Sequence, residues 1–397
     1  MEVLSRVLYV HNYYRNRGGE ATVLEAESSL ARAHGWDVAI FSRDSAKSGY
    51  LDVLGSLGGI YSFEAKEGLR GATKAFRPEV IHVHNAHPLI TDAVYDVAAA
   101  ADIPLVHTLH NYRLVCCNAI LYRDGAACQN CVGRSGFEGV LRRCYRGSAT
   151  SLLTAGASGV RRYRAKSGAW PNVWWIALST FAKDLFVRGG LPEERILVKG
   201  NFLNCDVLPT QRNHEERVGC IFVGRLSEEK GIEDVMDAWD IDSSLSLTII
   251  GTGPLEDCVR EWAAGHPTVS FLGRQSRERV LSEMIRHQVL LFPSRWYEGF
   301  PMVLLEAMSA GLAVVSTGMG AVPEMVPFGE VGTQYEAGSP AGLSSALRGL
   351  TQNRVRKMGE NARSRFSQLY DRKAGWRKLK NVYATVVDMH QVGSDRS

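Results

Sequence analysis

The chain has 397 residues, which by size alone corresponds to roughly two or three domains. Hydrophobic residues make up 45% and charged residues 22%, a composition typical of a globular protein with sizeable cores and unlike that of a disordered or fibrous chain. The formal net charge of +4 is too small to indicate a nucleic-acid-binding protein.

The first predicted strand, Arg6–Val10, leads into a glycine-rich loop. No apolar run is long enough to cross a bilayer or to act as a leader, so a cytoplasmic location is expected. Gly18 and Gly19 precede a helix that runs toward His34, and paired glycines allow close backbone approach to an anion. The spacing is not GxGxxG, so the nicotinamide fingerprint is absent at this position.

Two further predicted strands, Val80–Asn85 and Pro104–Asn111, carry histidines near their ends. A histidine on a strand is usually packed in the core or hydrogen-bonded as scaffold, and this is the interpretation of His82 and His107. His110, in a Thr-Leu-His-Asn-Tyr segment, is a separate candidate whose role depends on the resemblance described below.

Four cysteines, Cys117, Cys128, Cys131 and Cys144, follow in an insertion-like segment with the spacing Cys-x10-Cys-x2-Cys-x12-Cys. Four thiolates with one Cys-x2-Cys knuckle could hold a structural zinc ion. The single knuckle, and the ambiguity that the adjacent Cys116 introduces, favour reduced thiols that pack a loop. Disulfides are not expected in a reducing cytosol, and the chemistry considered below needs no catalytic cysteine.

Basic residues are concentrated in and after this segment. A charge run is usually a solvated face, but peripheral membrane contact, with Leu152, Leu153 and Val160 adding apolar surface, or attraction of an anionic acceptor stays open. No amphipathic periodicity is evident, which disfavours the membrane interpretation. The residues are Arg134, Arg142, Arg143, Arg146, Arg161, Arg162, Arg164 and Lys166.

A domain boundary is predicted near Asn204 to Asn213, before Val218. Beyond it, short apolar runs that end in turn residues alternate with helical segments, which indicates a parallel α/β sheet. In such sheets, ligands bind beyond the carboxyl ends of the strands. The runs are Gly219–Val223, Leu245–Ile250, Val269–Leu272 and Val289–Phe292.

Charged residues and glycines follow these runs at the expected ligand edge. Arg225 and Lys230 come after the first run, Gly251 and Gly253 after the second, and Arg274 after the third. An arginine can bind a diphosphate with two parallel hydrogen bonds, and a lysine adds a point charge. These residues are therefore candidate anion-binding residues.

The segment from Glu298 to Gly311 is the most informative part of the chain. Glu298 and Glu306 flank a Gly-Phe-Pro corner that enters an apolar helix, and Pro301 suits the first helical turn. Acids so close to an anion site would repel phosphate, so we expect them to accept hydrogen bonds from the hydroxyls of a sugar nucleotide. The backbone N–H groups expected to face its phosphate belong to Gly299, Phe300, Met302 and Val303.

The motif order GR…EKG, IGTGP, FLG and FPS…EGFPMVLLEAMSAG resembles family 4 of the retaining glycosyltransferases (glycosyl transferases group 1), which have the GT-B fold. The resemblance covers most of the chain, and the Glu-x7-Glu segment is a highly specific signature. It implies an α/β fold of two Rossmann-like domains whose parallel sheets face each other across a cleft. The implied domains are an acceptor-binding domain at 1–205 and a sugar-nucleotide-binding domain at 206–370, with a last helix in 371–397 that crosses back to the first domain.

The amphipathic segment Tyr370–Gln391, with Trp376, Leu379 and Tyr383, is the candidate for this last helix. The tail from Gly393 is expected to be disordered.

The resemblance also implies roles for the site residues. Arg225 and Lys230 would clamp the diphosphate, Glu306 would hold the nucleotide ribose, and Glu298 would bind hydroxyls of the donor sugar. The backbone of Gly299 and Phe300 would hold the phosphate and the sugar.

In the N-terminal half, the resemblance implies that Gly18 and Gly19 approach the donor phosphate. His110 would contact the donor sugar and help to steady positive charge at the anomeric carbon. His84 is a lesser candidate for lining the acceptor site. The expected catalytic set is His110, Glu298, Arg225 and Lys230.

Glycosyl transfer passes through an oxocarbenium-like transition state, so the site must stabilise a positive sugar and a negative leaving diphosphate. The resemblance implies retention by same-face attack, with the leaving phosphate oxygen taking the acceptor proton. No metal and no cofactor beyond the nucleotide sugar is expected, because two cationic side chains and a helix N-terminus neutralise the diphosphate. A DxD-type metal motif in a suitable place is also absent.

Two other classes stay open. One is a different GT-B enzyme, such as a sugar-nucleotide epimerase or a glycan phosphorylase, although no pyridoxal-bearing lysine site can be located. The other is a non-catalytic nucleotide-sugar-binding protein. The donor base, UDP or GDP, depends on the pocket near Gly251–Pro254 and Gly273–Gln275. The acceptor could be a polysaccharide, a lipid-linked saccharide or a small metabolite.

Overall fold

The chain divides into two compact units in a computed structural model. Unit 1 comprises Met1–Leu121, Cys128–Asn204 and Gly375–Ser397, and unit 2 comprises Tyr122–Ala127 and Cys205–Ala374. The predicted division at 205 and 370 therefore missed the short segment that joins unit 2 from the first half of the sequence. The structure describes residues 5–14, 18–47, 61–204, 216–241 and 245–394, so residues 205–213 of the predicted boundary lie outside it.

The elements of the described residues are numbered along the chain. The strands are β1 Arg6–Tyr13, β2 Asp37–Asp44, β3 Val80–Asn85, β4 Leu105–Leu109, β5 Tyr122–Arg123, β6 Ala126–Ala127, β7 Val173–Ala177, β8 Ile196–Val198, β9 Cys220–Val223, β10 Leu247–Ile250, β11 Val269–Phe271, β12 Val289–Phe292, β13 Ala313–Thr317 and β14 Gly332–Tyr335. The helices are α1 Gly19–Ala33, α2 Phe63–Phe76, α3 Ala93–Ala100, α4 Phe137–Leu141, α5 Ser148–Lys166, α6 Thr180–Arg188, α7 Ile232–Ile241, α8 Glu256–Ala264, α9 Arg277–Met284, α10 Met302–Ala310, α11 Val322–Met325, α12 Pro340–Arg348, α13 Gln352–Leu369 and α14 Arg372–Ser394.

Unit 1 is built on a parallel sheet in the order β2-β1-β3-β4-β7-β8. The central strands β3, β4 and β7 are buried along their whole length, as expected for parallel strands that are covered by helices on both faces. The core includes Val7, Trp36 and Trp174 together with Leu379 and Tyr383 of α14. The last helix of the chain is thus part of the core of unit 1.

Unit 2 has a second parallel sheet in the order β11-β10-β9-β12-β13-β14. Phe222, Trp239, Ile249, Leu291 and Val315 are among the residues of its core. The predicted α/β fold with two Rossmann-like, parallel-sheet domains is confirmed.

The segment that unit 2 takes from the first half of the sequence is a hairpin of β5 and β6. Asp124 and Gly125 form its two-residue turn with positive φ angles of 52° and 78°, the conformation that a tight antiparallel hairpin favours. The Tyr122 hydroxyl donates a hydrogen bond of 3.1 Å to Oε1 of Glu228 in unit 2.

The last helix extends further than predicted. Helix α14 continues through Gly393 and Ser394, which were assigned to a disordered tail, while residues 395–397 lie outside the described part of the chain. Among the helices that the structure describes, none combines the length and the apolar character needed to cross a membrane.

Candidate functional site

The strand order of unit 2 reverses between β9 and β12, because β10 and β11 extend the sheet on one side while β13 and β14 extend it on the other. At such a switch point the loops after the two central strands part and leave a crevice in which ligands bind. The loop after β9 carries Arg225 and Lys230, and the loop after β12 carries Glu298.

Lys230 and Glu298 are joined by an ion pair that links these two loops. Nζ of Lys230 lies 2.6 Å from Oε1 of Glu298, and the same oxygen accepts hydrogen bonds from the Ser294 hydroxyl at 2.6 Å and from the Trp296 indole N–H at 2.7 Å. Glu298 is 5% exposed, whereas the Lys230 side chain is 23% exposed. The sequence assigned separate contacts to these two residues and did not reveal that they pair.

The N-terminus of α10 lies directly after this loop. Pro301 is its N-cap residue with φ −70° and ψ 122°, so it stands one position before the first helical turn in which it was predicted. No acidic residue occupies the first turn, and no side chain of the described residues caps it. The first N–H groups of the helix, those of Met302 and Val303, therefore remain available to an anion.

An aromatic residue lies just before this helix, and an acidic residue lies in its second turn. The Phe300 ring packs edge-on against Tyr370, with the centroids 5.8 Å apart, which fixes the backbone immediately before the helix. Glu306 lies in the second turn, and its Oε1 accepts a hydrogen bond of 3.1 Å from Nε of Arg277 on α9. Burial raises the pKa of Glu306 above its usual value, and Arg277 opposes this effect. A poorly hydrated carboxylate of this kind is suited to accept hydrogen bonds from hydroxyl groups.

Gly251 and Gly253 allow the loop after β10 to lie against the loop after β9. A Cβ atom at Gly251 would lie 1.8 Å from the Gly224 carbonyl oxygen, and one at Gly253 would lie 2.3 Å from the Leu226 carbonyl oxygen. The two glycines thus position the backbone around Arg225. Arg225 and the predicted anion-binding residue Arg274 are exposed, and neither forms an ion pair with a residue in the described ranges.

In unit 1, α1 begins at Gly19 with Gly18 as its N-cap residue. Oε2 of Glu20, in the first turn, would lie 2.6 Å from a Cβ atom at Gly18, and burial raises the pKa of Glu20. The helix N-terminus that the sequence offered to a phosphate therefore already has a carboxylate beside it. Glu20 was not predicted as a site residue, and residues 15–17 of this loop are outside the described chain.

His110 follows β4 and lines a cavity of unit 1 together with His87, His107, Asn111 and Arg113. Its Nε2 lies 2.9 Å from Nδ1 of His84 at the end of β3. His84 is 2% exposed and is not among the residues that line this cavity, so its place in an acceptor site stays a prediction. Burial lowers the pKa of His110 well below its usual value.

The strand histidines predicted as scaffold are buried and hydrogen-bonded. His82 contacts the Tyr383 hydroxyl at 2.6 Å and the Thr108 hydroxyl at 2.8 Å, and His107 contacts the Tyr95 hydroxyl at 2.6 Å. Their rings therefore hold neighbouring strands and helices together.

The cysteine segment brings Cys117 and Cys131 into contact. A hydrogen bond from the Cys117 thiol lowers the pKa of Cys131 to about 6. Gly139 leaves space for both sulfurs, since a Cβ atom there would lie 2.6 Å from Sγ of Cys117 and 3.5 Å from Sγ of Cys131. Within the described ranges, no three cysteine sulfurs lie within 4.8 Å of one another.

The basic segment is less solvated than its sequence indicated. Arg161 is 6% exposed and forms an ion pair with Asp92, and Arg164 pairs with Asp96 at 2.7 Å. Helix α5 nevertheless leaves a periodic apolar stripe exposed, which the sequence interpretation missed. Its exposed apolar side chains are Leu152, Val160 and Tyr163.

Comparisons with known proteins agree with this architecture. Residues 7–207 match the family model described as Glycosyltransferase Family 4, and residues 209–365 match the model described as Glycosyl transferases group 1. Glycogen synthase of Mycobacterium tuberculosis is 25% identical over 341 residues, which cover 81% of this chain and 72% of that protein.

Solved structures share the fold over nearly the whole chain. A glycosyltransferase from Rickettsia africae superimposes with a TM-score of 0.71 at 14% identity, covering 97% of this chain and 99% of that one. Anabaena HepE, in complex with UDP and glucose, has a TM-score of 0.65 at 17% identity, covering 95% and 99%. With both halves matched by family models, the chain belongs to glycosyltransferase family 4 and is a transferase that takes its sugar from a nucleotide sugar.

Proposed function

We propose that the chain transfers a hexose from UDP-hexose, or from GDP-hexose as the alternative donor, to a hydroxyl group with retention of anomeric configuration. Unit 2 is the donor-binding domain and unit 1 is the acceptor-binding domain. The observation that carries this proposal is the Lys230–Glu298 pair at the switch point of the unit 2 sheet, next to the uncapped N-terminus of α10. Anion-binding and hydroxyl-binding groups are thus adjacent, as a sugar nucleotide requires.

The diphosphate is held by Arg225, by Lys230 and by the N–H groups of Met302 and Val303. Because Lys230 and Glu298 neutralise each other, the net attraction comes from Arg225 and the helix N-terminus, while Lys230 supplies N–H donors. These groups stabilise the charge that develops on the departing diphosphate, the largest electrostatic demand of the reaction. The backbone at Gly299 and Phe300 contacts the phosphate and the sugar.

Glu306 accepts hydrogen bonds from the ribose hydroxyls in place of its bond from the exposed Arg277. Glu298, oriented by three donors to one oxygen, accepts hydrogen bonds from the donor sugar. His110 is the residue of unit 1 that contacts the reacting sugar, and Gly18 and Gly19 shape the unit 1 binding surface next to Glu20.

The leaving phosphate oxygen takes the proton of the acceptor hydroxyl, which attacks on the face that the diphosphate leaves. UDP is favoured as the donor base because Anabaena HepE, of the same fold, was solved with UDP and glucose. No metal and no further cofactor takes part, so we expect turnover to be unchanged by a chelator such as EDTA.

The first test is the release of UDP from UDP-glucose and of GDP from GDP-mannose, measured with wild type and with Lys230→Met. We expect slow release of one nucleotide by the wild type and a strong loss in the variant. A binding protein would release neither nucleotide. A sugar-nucleotide epimerase would change the ring stereochemistry of the sugar, which NMR of the product detects.

Peripheral membrane contact is a separate part of this proposal. The apolar stripe of α5 and the exposed Arg142, Arg143 and Arg146 offer apolar and cationic groups to an anionic bilayer surface. Sedimentation with phosphatidylglycerol vesicles tests it. Leu152→Ser with Val160→Ser should abolish binding, whereas Ile241→Ser, an equally exposed apolar residue of unit 2, should not. Equal binding of both variants would refute the contact.

A further inference from the structure

A carboxylate and an ammonium group are buried together in the core of unit 1. Nζ of Lys199, just after β8, lies 2.5 Å from Oε1 of Glu27 on α1, and neither residue is more than 2% exposed. Burial opposes the ionisation of Glu27, but Lys199 and two neighbouring histidines outweigh it and hold the pKa of Glu27 well below its usual value. Glu27 is therefore an anion that can accept hydrogen bonds but cannot donate them.

The second oxygen of Glu27 faces His84. Oε2 lies 3.4 Å from Nε2 of His84 and 3.5 Å from Nδ1 of His82. His82 already has hydrogen-bond partners for both of its ring nitrogens, Tyr383 and Thr108. Nε2 of His84 and Oε2 of Glu27 are both buried and have no hydrogen-bond partner of regular geometry among the described residues. The 3.4 Å contact between them is therefore the polar interaction that is open to both atoms.

The other ring nitrogen of His84 contacts His110, which lines the cavity of unit 1. Nδ1 of His84 lies 2.9 Å from Nε2 of His110, and the two rings are stacked at 22° with centroids 5.1 Å apart. A continuous polar chain thus runs from Lys199 through Glu27 and His84 to His110. It connects four segments of unit 1 that are distant in sequence.

A cation site is not the explanation of this cluster, although Glu27, His82 and His84 offer ligand atoms within 4.8 Å of one another. The charge of Lys199 already balances the carboxylate, and both nitrogens of His82 are engaged. A metal ion would have to displace these contacts.

We propose that Glu27 acts through His84 as a positioning residue that fixes the tautomer of His110, with the proton on Nε2 and a bare Nδ1. This inference rests on the proposed function, which assigns His110 to the reacting sugar. The ionised carboxylate requires a hydrogen on Nε2 of His84, and in a ring with a single N–H group Nδ1 of His84 then accepts a hydrogen bond from the Nε2–H of His110.

The consequence is a neutral imidazole whose Nδ1 accepts a hydrogen bond from a sugar hydroxyl. Such a ring adds no positive charge beside an oxocarbenium-like sugar, whereas an imidazolium would repel it. Burial, which lowers the pKa of His110, acts in the same direction. Partners that orient a functional histidine in this way typically contribute about 10- to 100-fold to activity in metal sites, and we expect a similar effect here.

The tautomer is measured directly by ¹H–¹⁵N NMR of the full chain labelled at its 11 histidines, with the signals of His110 identified by their loss in His110→Gln. In Glu27→Gln, Lys199 still donates to the side-chain oxygen of residue 27, so the amide NH₂ group faces His84. Because this NH₂ group donates where the carboxylate accepted, the direction of each hydrogen bond from residue 27 through His84 to His110 is reversed. We expect His110 to change from the Nε2–H to the Nδ1–H tautomer. His84→Phe keeps the stacked ring and the buried ion pair but frees His110, so a mixture of tautomers is expected.

Tyr383→Phe is the matched control, since it removes a hydroxyl from His82 in the same core without touching Glu27, His84 or His110. It should leave the His110 tautomer unchanged. If Glu27→Gln does not fold, His84→Phe carries the test. An Nε2–H tautomer of His110 in every folded variant, or the same change in Tyr383→Phe, would overturn the positioning role.

Turnover separates this inference from the proposed function. Glu27→Gln and His84→Phe should lower kcat for nucleotide release by on the order of 10- to 100-fold with little change in KM for the donor. A changed tautomer with an unchanged kcat would support the positioning role and contradict the assignment of His110 to the reacting sugar.

Discussion

Lys230 has two partners to satisfy, the buried carboxylate of Glu298 and the proposed diphosphate. Replacing it by methionine removes N–H donors from the leaving group and leaves Glu298 without its cation. We expect Lys230→Met to lower kcat by about 10²- to 10³-fold, as when one preorganised donor to a developing oxyanion is lost. Lys183→Met, which removes a lysine paired with Glu193 in unit 1, is the control. Near-normal kcat in Lys230→Met would contradict the diphosphate assignment.

Glu306 is destabilising in the unliganded protein, because burial raises its pKa. A carboxyl group whose pKa is higher in the folded than in the unfolded state stabilises the fold most at pH values below its unfolded-state pKa. This stabilisation is lost as the pH rises through the folded-state pKa. Glu306→Gln should therefore have a higher Tm than wild type at pH 7, and the difference should vanish near about pH 4. A lower Tm of the variant at pH 7, measured by calorimetry without nucleotide, would contradict this.

The sequence predicted individual candidate site residues but not their side-chain partners. Glu298 and Glu306 were predicted because their spacing around a Gly-Phe-Pro corner is local information. The bonds from Lys230 to Glu298 and from Arg277 to Glu306 join positions that are distant in sequence, so no local pattern could reveal them. The burial of His84 was not predicted for the same reason, since its neighbours Glu27 and His110 are distant in sequence.

At the scale of elements, the loops after β9 and β12 depend on one glycine for their close approach. Gly231 has φ +68°, and a Cβ atom there would lie 2.1 Å from the Pro293 carbonyl oxygen. Gly273 has a similar φ of +63° but open space around it. Gly231→Ala should therefore cost about 1–3 kcal/mol more than Gly273→Ala, the range for overpacking.

Denaturant unfolding measures this difference, and the two alanine variants are matched because both carry the cost of a left-handed residue. Gly231→Ala should also weaken nucleotide binding, since it displaces the turn that ends at Lys230. Equal stability of the two variants would show that the loops do not rely on this contact.

The hairpin of β5 and β6 is an element that local information could have identified. Asp124-Gly125 is a strong signal for a two-residue turn, and both residues adopt the positive φ angles that this turn needs. The sequence could not reveal which unit the hairpin joins. The hydrogen bond from Tyr122 to Glu228 connects it to the unit formed by the second half of the chain, and these two residues are distant in sequence.

At the scale of the whole molecule, the core of unit 1 includes a helix that follows unit 2 in the sequence. Leu379, Val382, Tyr383 and Val386 of α14 belong to the core of unit 1. Burial of four large apolar side chains contributes about 6–12 kcal/mol, comparable to the total stability of a typical domain. Truncation after Asp371 should therefore unfold unit 1.

Limited proteolysis with mass spectrometry measures this outcome. Fragments of unit 1 should disappear while the β9–β14 region stays protected, and truncation after Ser394 should have no effect. A protected unit 1 in the chain without α14 would contradict the role of this helix in the core.

The alternation of short apolar runs with helical segments predicted the parallel sheet of unit 2, because the pattern is present in each local segment. The second parallel sheet, that of unit 1, was implied by the resemblance to the family. The extra passage of the chain into unit 2 at Tyr122–Ala127 was not predicted, since composition and periodicity do not report which sheet a short segment joins.

The most direct measurement of the central claim is a thermal-shift comparison of UDP and GDP on wild type and Glu306→Ala. At about one hundred times its dissociation constant, a nucleotide should stabilise the fold by about 2.7 kcal/mol. We predict that one of the two nucleotides, UDP in the favoured case, raises the Tm of the wild type and that the shift is lost in the variant. No shift with either nucleotide, or an equal shift in Glu306→Ala, would contradict a nucleotide-sugar site at the N-terminus of α10.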